Sequence, residues 1–536
     1  MPTKCWISDA LQRHFPAGQA GGKKTLHLKA VRGERAAFQV CAKHLEDGHA
    51  EISAGVRAPD GLAVSLRRVG CVPVPHQNTG CEPAEVDGLE HLPGYVPDVL
   101  FEDATATVGP REIQCFWVSV DIPRDAVPGP REVGVEVVAG NRSYRLKAVI
   151  DVADMAIEPR RDFPVTHWLY TDALCDWYGL KPFSKSFWPL CRRYMQNLLA
   201  HGTDVIHTPL FTPPTDGVKR PTQLVRVKAK KGRYDFDWTD VETWVAQAKD
   251  VGFGYFEWPH LFSQWGVDSA IRIYKGQGNK ENLLWPPDTG ATSETYRGFL
   301  SQFLPQFERF LRTWGIFDVS FFHVSDEPHG DEHLENYKAA RALLAELAPW
   351  MRTMDALSDI RYGREKLTDT PIPTIRTTRQ YYDEGIPSWT YFCCGPRGRY
   401  LNRLLDTPLP KIRMSGWLFY RFQRMGFLHW GYNYWYKSQT RELIDPFTVT
   451  DGLKWPNWAY GDTAMVYPGP EGPLDSIRWE VFAQSLQDYR LLQTAGVDPE
   501  GELLEPLRDF DDFPGTTQWI AKARESILQG THDQPA

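Results

Sequence analysis

A multidomain β plus α/β fold is predicted by three features of this 536-residue chain. Short β-like runs fill residues 1–157, strand-like runs alternate with amphipathic helical patterns over residues 158–500, and helical periodicity returns in residues 501–536. The reading is an N-terminal β-sandwich, a (β/α)8 TIM-like barrel and a C-terminal helical extension. A hydrophobic fraction of 42% lets a chain of this length bury large cores in two to three domains.

In the first segment, Ala36–Cys41, Phe116–Val120 and Val133–Val138 are separated by turn signals such as Pro128-Gly129 and Gly140-Asn141. Beyond Pro159 come eight candidate strands: Phe163–Tyr170, Asp204–Leu210, Gly254–His260, Phe317–Val324, Thr353–Ala356, Ile375–Tyr381, Trp389–Cys393 and Gly426–Trp435. Phe299, Leu300, Phe303, Leu304, Phe307, Phe310 and Leu311 carry the three-and-four spacing of a helix that Gly315 ends. Ile477, Val481, Phe482, Ser485, Leu486, Tyr489 and Leu492 give a closing helix, and Trp519, Ile520 and Ile527 a shorter terminal one.

The fourth candidate strand ends in His323-Val324-Ser325-Asp326-Glu327-Pro328-His329-Gly330. Catalytic groups of parallel α/β folds gather at such strand ends, where the following loops line the open mouth. Two neighbouring carboxylates repel when both are ionised, so one tends to keep its proton, and an acid beside an anion suits glycoside hydrolysis. Successive side chains of a strand point to opposite faces. Asp326 and Glu327 therefore serve one substrate only if the backbone twists as it leaves the strand, and Ser325 and Pro328 favour such a twist. In isolation Asp-Glu-Pro reads as a helix start, its acids facing the positive end of the dipole.

Aromatic density supplies the context. The chain holds 20 Trp, 22 Tyr and 27 Phe. Residues 417–436 include Trp417, Phe419, Tyr420, Phe422 and Phe427, then Trp430, Tyr432, Tyr434, Trp435 and Tyr436. Much of this density is core, and flat rings with polar tips also suit the C–H faces and hydroxyls of a sugar. By position at strand ends, Tyr170, His207 and Trp258 join the candidate substrate-binding set. Tyr391, on the seventh candidate strand, joins them. Arg478, Glu480 and Asp488, on the closing helix, read as structural.

Other chemistries find less support. A net charge of −8 argues against a nucleic-acid partner. The basic stretch Lys219–Arg233 interleaves with apolar residues as a hairpin with a solvated face. No run is apolar enough to span a bilayer, and the opening Met1-Pro2-Thr3-Lys4-Cys5-Trp6 lacks a signal-peptide core, so the expectation is a cytoplasmic protein with no membrane partner. Nine cysteines without zinc-like spacing fit reduced thiols, and vicinal Cys393-Cys394 reads as buried strand. Asp326, Glu327, His329, Asp331, Glu332 and His333 cluster in sequence, but their spacing matches no helical His-Glu-x-x-His site, so neither a metal nor another cofactor is expected. Gly18–Thr25 lacks the first glycine and the preceding strand of a phosphate loop, and no Gly-x-Ser-x-Gly elbow is present.

The succession of the Asp326-Glu327-Pro328 turn, the Gly426–Trp435 segment, Tyr467-Pro468-Gly469 and Arg478-Trp479-Glu480 with Asp488-Tyr489 resembles family 123 glycoside hydrolases and the wider group called domain of unknown function 4091. The resemblance covers nearly the whole chain. It implies a retaining, exo-acting β-N-acetylgalactosaminidase whose substrate uses its own 2-acetamido group as nucleophile. Asp326 would then polarise that group, Glu327 would be the acid and base, Trp430, Asn433 and Trp435 would lie near the sugar, and Tyr391 is the candidate hydroxyl donor to the acetamido oxygen; Tyr432 completes the candidate substrate-binding set. The partner implied is a glycan with a terminal β-linked N-acetylhexosamine, and a homo-oligomer is compatible with it. Two rivals stand beside this reading: a conventional two-carboxylate glycosidase drawing on Glu257, Asp355 or Glu384, and a non-catalytic carbohydrate-binding protein.

Overall fold

The computed structural model describes residues 2–211, 220–277, 282–448 and 458–530. Lys219, which opens the basic stretch, and residues 531–536 of the expected extension lie outside them. The N-terminal strands are β1 (Thr3–Asp9), β2 (Thr25–Arg32), β3 (Arg35–His44), β4 (Ala50–Arg57), β5 (Ala63–Val74), β6 (Gly94–Phe101), β7 (Thr105–Val108), β8 (Ile113–Asp121), β9 (Gly129–Ala139) and β10 (Arg142–Ala156). They form two five-stranded sheets, ordered β1-β3-β8-β5-β6 and β2-β10-β9-β4-β7. The period-two alternation of Leu146, Ala148, Ile150 and Val152 on β10 sends one face inward against Phe38, Val40, Phe116 and Val118 of the other sheet.

The second region interleaves strands and helices. Strand β11 (Val165–His167) leads to α1 (Thr171–Trp177) and α2 (Phe187–Ala200), and β12 (Val205–His207) leads through the hairpin β13 (Arg226–Lys230) and β14 (Arg233–Asp237) to α3 (Thr239–Val251). Next come β15 (Tyr255–Trp258) with α4 (Glu294–Thr313), β16 (Ser320–Phe322) with α5 (Gly330–Leu347), and β17 (Met354–Ala356) with the single-turn α6 (Arg361–Arg364). Then follow β18 (Thr370–Ile372) with α7 (Ile375–Asp383), β19 (Thr390–Tyr391) with α8 (Leu409–Arg421), and β20 (Phe427–His429). The hairpin β21 (Val466–Pro468) and β22 (Pro473–Asp475) precedes α9 (Ile477–Ala495), and α10 (Thr517–Leu528) ends the described chain.

Parallel pairing runs without interruption through six strands, β16-β15-β12-β11-β20-β19, as a half-barrel. Strands β17 and β18 pair with each other, and single parallel bridges, Phe322 to Thr353 and Thr374 to Tyr391, link them to the larger sheet. Pro371 and Pro373, in and beside β18, have no N–H to donate to a ladder.

Several expected bounds change. Ile375–Tyr381 is helix α7 rather than strand: the Thr374 side chain accepts the Arg376 N–H as its cap, and Ile375, Thr378 and Tyr381 are buried at helical spacing. The fourth strand shrinks because Phe317–Val319 forms a 3-10 turn. The eighth stops at His429. Gly431 then lies so tightly on Asp462 and Thr463 that a Cβ there would come within 2.2 Å of the Asp462 carbonyl oxygen. Helix α4 matches its pattern, capped by Ser293 and ended by Gly315 at φ +64°.

Buried ion pairs tie the sandwich to α9 and α10. Asp98 on β6 meets Arg478 at 2.9 Å, Arg67 on β5 meets Asp475 at 2.5 Å and also Glu480, and Glu34 meets Arg524 at 2.8 Å. Asp488 is shared by Arg413 and Arg524. No helix among the described residues is long and apolar enough to cross a membrane.

Candidate active site

The turn after β16 places the two acids. Leaving Val324, the chain enters the left-handed region at Glu327, φ +46°, a conformation that costs a non-glycine residue about 1 kcal/mol or more. This is the twist that two successive side chains need to serve one ligand. It is pinned by the Glu327 N–H donating to Ala356 O at 3.1 Å and by the Trp265 N–H donating to Asp326 O at 2.7 Å. Trp265 is itself left-handed, at φ +62°.

The partners of the pair carry no charge. Gln264 Nε2 donates to Asp326 Oδ2 at 2.6 Å, and the Tyr391 hydroxyl donates to Glu327 Oε1. Asp326 is 8% exposed and Glu327 is half-buried. Burial first, and the Glu327 carboxylate second, push the Asp326 carboxyl up to about 8.

Beneath the turn lies a charged core. His323 gives Nε2 to Glu257 at 2.7 Å and Nδ1 to Asp355 at 3.2 Å. Although burial alone would strip its charge, the two acids hold the imidazolium up to about 10. Glu257 also accepts from Trp168 Nε1 at 2.7 Å and from the Thr166 hydroxyl. Asp355 accepts from the Val324 and Ser325 N–H groups and from the Tyr337 hydroxyl at 2.6 Å. The network clamps the strand end that bears Asp326 and Glu327, and it occupies both acids.

Of the expected sugar contacts, Tyr170 stays near Asp326, while His207 lies beside the Glu257–His323 core. The buried Tyr170 hydroxyl has no hydrogen-bond partner, and burial followed by Tyr434, Asp172 and Asp326 pushes its pKa up. His207 has both ring nitrogens unpartnered and its ring centroid 5.5 Å from that of Trp168, and burial holds it neutral, down to about 4. Trp430 is half-buried, donates Nε1 to Asp462 Oδ2 at 3.0 Å and packs on Tyr434 and Trp458. Tyr391 contacts Glu327, as described.

Four expected contacts point elsewhere. Trp258 is 1% exposed, with Nε1 on Ser320 Oγ and its ring on Phe307 of α4, because strand alternation turns Glu257 inward and Trp258 outward. Asn433 is buried and spends its amide on the Tyr170 backbone, accepting at 2.8 Å and donating at 3.1 Å. Tyr432 donates to Asn197 Oδ1 on α2, and Trp435 donates to Val466 O, since the chain has left the sheet after His429. Gln264, His323, Asp462 and Trp458 were not singled out. His323 alone carried a signal, standing one turn of alternation before the acid pair.

Two groups of metal-type side chains come together among the described residues, His260–His323–Asp355 and His201–Asp475–Glu480. The first has its charge supplied by the His323 imidazolium and the second by Arg67. In the expected Asp326–His333 run, Asp331 instead pairs with Arg361 at 2.8 Å, and His329 packs on His333 at the exposed start of α5.

A solved structure described as a family 123 glycoside hydrolase from Clostridium perfringens, studied for glycolipid glycan hydrolysis, superposes with a TM-score of 0.74 at 13% identity over 98% of each chain. A GH10 xylanase with a bacterial Ig-like domain from termite gut has a TM-score of 0.34 at 8% identity, covering 87% of this chain and 100% of that one. A Bacteroides uniformis β-glucuronidase 3 has a TM-score of 0.30 at 9% identity, covering 90% and 52%. No curated protein matches significantly in sequence. The family model for the glycoside hydrolase 123 catalytic domain matches residues 168–495, the stretch that carries the Asp326–Glu327 turn, and on that match the chain belongs to glycoside hydrolase family 123.

Proposed function

We propose that the protein is a retaining, exo-acting β-N-acetylgalactosaminidase that frees terminal β-linked GalNAc from glycolipid or other glycans through the substrate's own 2-acetamido group. The observation that carries this reading is that each carboxylate weighed as an enzyme nucleophile is already engaged. Glu257 and Asp355 are held by His323, and Glu384 is clamped by Arg364 at 2.7 and 2.8 Å at the end of α7. An ordinary retaining site sets its carboxyl groups about 5 Å apart across the scissile bond. Neighbouring acids on one turn suit a nucleophile that arrives with the sugar, where intramolecular attack has a high effective concentration.

In this scheme Asp326 accepts the acetamido N–H and stabilises positive charge as the amide oxygen closes on the anomeric carbon. Glu327 gives its proton to the departing oxygen and later takes one from water. Accepting that N–H favours the Asp326 anion, the form this step needs. Tyr391 orients Glu327, and Trp430 offers a ring to the sugar. The two single bridges at β17 and β18 support reading the eight strands as one (β/α)8 ring around this site. The preference for GalNAc over GlcNAc rests on the family resemblance.

The test is release of p-nitrophenol from β-GalNAc, β-GlcNAc and non-acetamido β-glycosides, with and without a thiazoline that mimics the oxazoline intermediate. Turnover restricted to acetamido sugars and blocked by the thiazoline is expected. Comparable turnover of non-acetamido sugars without thiazoline inhibition would select the two-carboxylate enzyme. Saturable sugar binding without turnover would select the binding protein.

A further inference from the structure

Cys393 and Cys394 are not the buried strand pair that the sequence suggests. They stand on a bend just beyond Tyr391, both half-buried, with Sγ atoms 3.8 Å apart. The bend is held on several sides. Asn402 Nδ2 donates to Cys393 O at 2.9 Å and to Pro396 O at 2.8 Å. Arg397 donates Nε to Cys394 O and Nη1 to Asn78 O and Thr79 O at 3.3 Å, which anchors the bend to the sandwich region. Two thiols fixed in this way lose little freedom when one atom takes both sulfurs, so chelation is pre-organised. The contact with Cys393, aided by the Arg397 guanidinium, also holds the Cys394 thiol down at about 7, near the range of reactive thiolates. Cys41 and Cys115, whose Sγ atoms are 2.7 Å apart, are sealed in the interior instead.

We propose that Cys393 and Cys394 form a dithiol site for a soft electrophile that binds two sulfurs, such as a trivalent arsenical, and that filling it disables the adjacent Asp326–Glu327 pair. The reaction is a condensation in which R–As=O and two S–H groups give two S–As bonds and water. The arsenyl oxygen leaves with both thiol protons, and arsenic stays trivalent. The effect on turnover passes through Tyr391 and its hydrogen bond to Glu327, so that part rests on the glycosidase reading, while binding does not.

The full-length protein is treated with equimolar phenylarsine oxide and followed by intact mass and by turnover. One adduct is expected, reversed by 2,3-dimercaptopropanol, with turnover falling about a hundredfold, as when a group at the reacting centre is displaced by about 1 Å. Cys393→Ser and Cys394→Ser, checked for folding by circular dichroism, should each weaken adduct formation about a hundredfold, because a single sulfur cannot chelate. No adduct on the wild type, or an adduct that persists in both serine variants, overturns the site. An adduct that leaves turnover intact overturns its link to the acid pair. If the untreated protein turns over no glycoside, the mass readout still decides the site, and the glycosidase reading alone falls.

Discussion

Along the seam between the sandwich and the β22–α9 segment, Asp98 faces Arg478 and Asp475 and Glu480 face Arg67, and between helices Asp488 is shared by Arg413 and Arg524, whereas the two acids of the turn after β16 accept from a carboxamide and a phenol. Burial alone would raise the Glu480, Asp488 and Asp326 carboxyls. Arg67 and His201 nevertheless hold Glu480 far below its ordinary range, and Arg413 with Arg524 holds Asp488 down. Asp326, whose hydrogen-bond donor is the Gln264 carboxamide, is pushed up. Depth in the protein therefore does not mark a working acid. The nature of the partner does: guanidinium partners fix a charge in place, and neutral donors leave a proton free to move.

That contrast fails first if Glu327→Gln is mild. The variant should lose about 10²–10⁴-fold in turnover of glycosides with poor leaving groups and much less with activated aryl groups. Equal losses on both would remove Glu327 from the acid role. Next in size, Arg478→Leu strands Asp98 without its cation and should cost about 3–5 kcal/mol in denaturant unfolding, with turnover per folded molecule kept. A cost under about 1 kcal/mol would reduce the seam to ordinary surface pairing.

Asp326→Asn sharpens the comparison through pH. The folded carboxyl titrates near 8 against an ordinary 3.8, so the stability that its protonated form contributes is complete below pH 3.8 and is lost as pH rises through 8. The neutral variant escapes that loss. It should match the wild type near pH 3.5 and exceed it by about 1–3 kcal/mol above pH 8, a shift discounted for the coupling within the pair, while activity falls on both substrate classes. A stability gap that does not change with pH would contradict the titration. Tyr391→Phe removes one hydrogen bond from Glu327 and should lower kcat/KM about tenfold. Tyr432→Phe, on the α2 side, should leave KM unchanged and cost about 1 kcal/mol of stability at most.

Much of this was written in local pattern. The apolar spacing of α4, the alternation on β10 and the Asp-Glu-Pro break after a strand located the helix, the sandwich sheet and the acid turn. The errors have separate causes. Residues 375–381 are mostly polar and bury Ile375, Thr378 and Tyr381 at helical spacing behind the Thr374 cap, whereas the aromatic run 426–435 is apolar in both phases and the close approach at Gly431 ends its strand. Trp258, Tyr432, Asn433 and Trp435 were expected at the sugar because they are aromatic or polar and lie near strand ends. Which way a side chain faces depends on where the strand stops, and a three-residue strand leaves little margin. Gln264 stood outside any pattern, because it reaches Asp326 from a loop 62 positions away.

The seam has a practical consequence for anyone trimming this protein. A fragment begun at β11 would keep the whole acid turn yet inherit Arg478 without Asp98, Glu480 without Arg67, and Arg524 without Glu34. Those orphaned charges would be left on a newly exposed surface, and the truncated piece should aggregate rather than act alone. Residues 1–157 thus supply counter-charges that the rest of the chain buries.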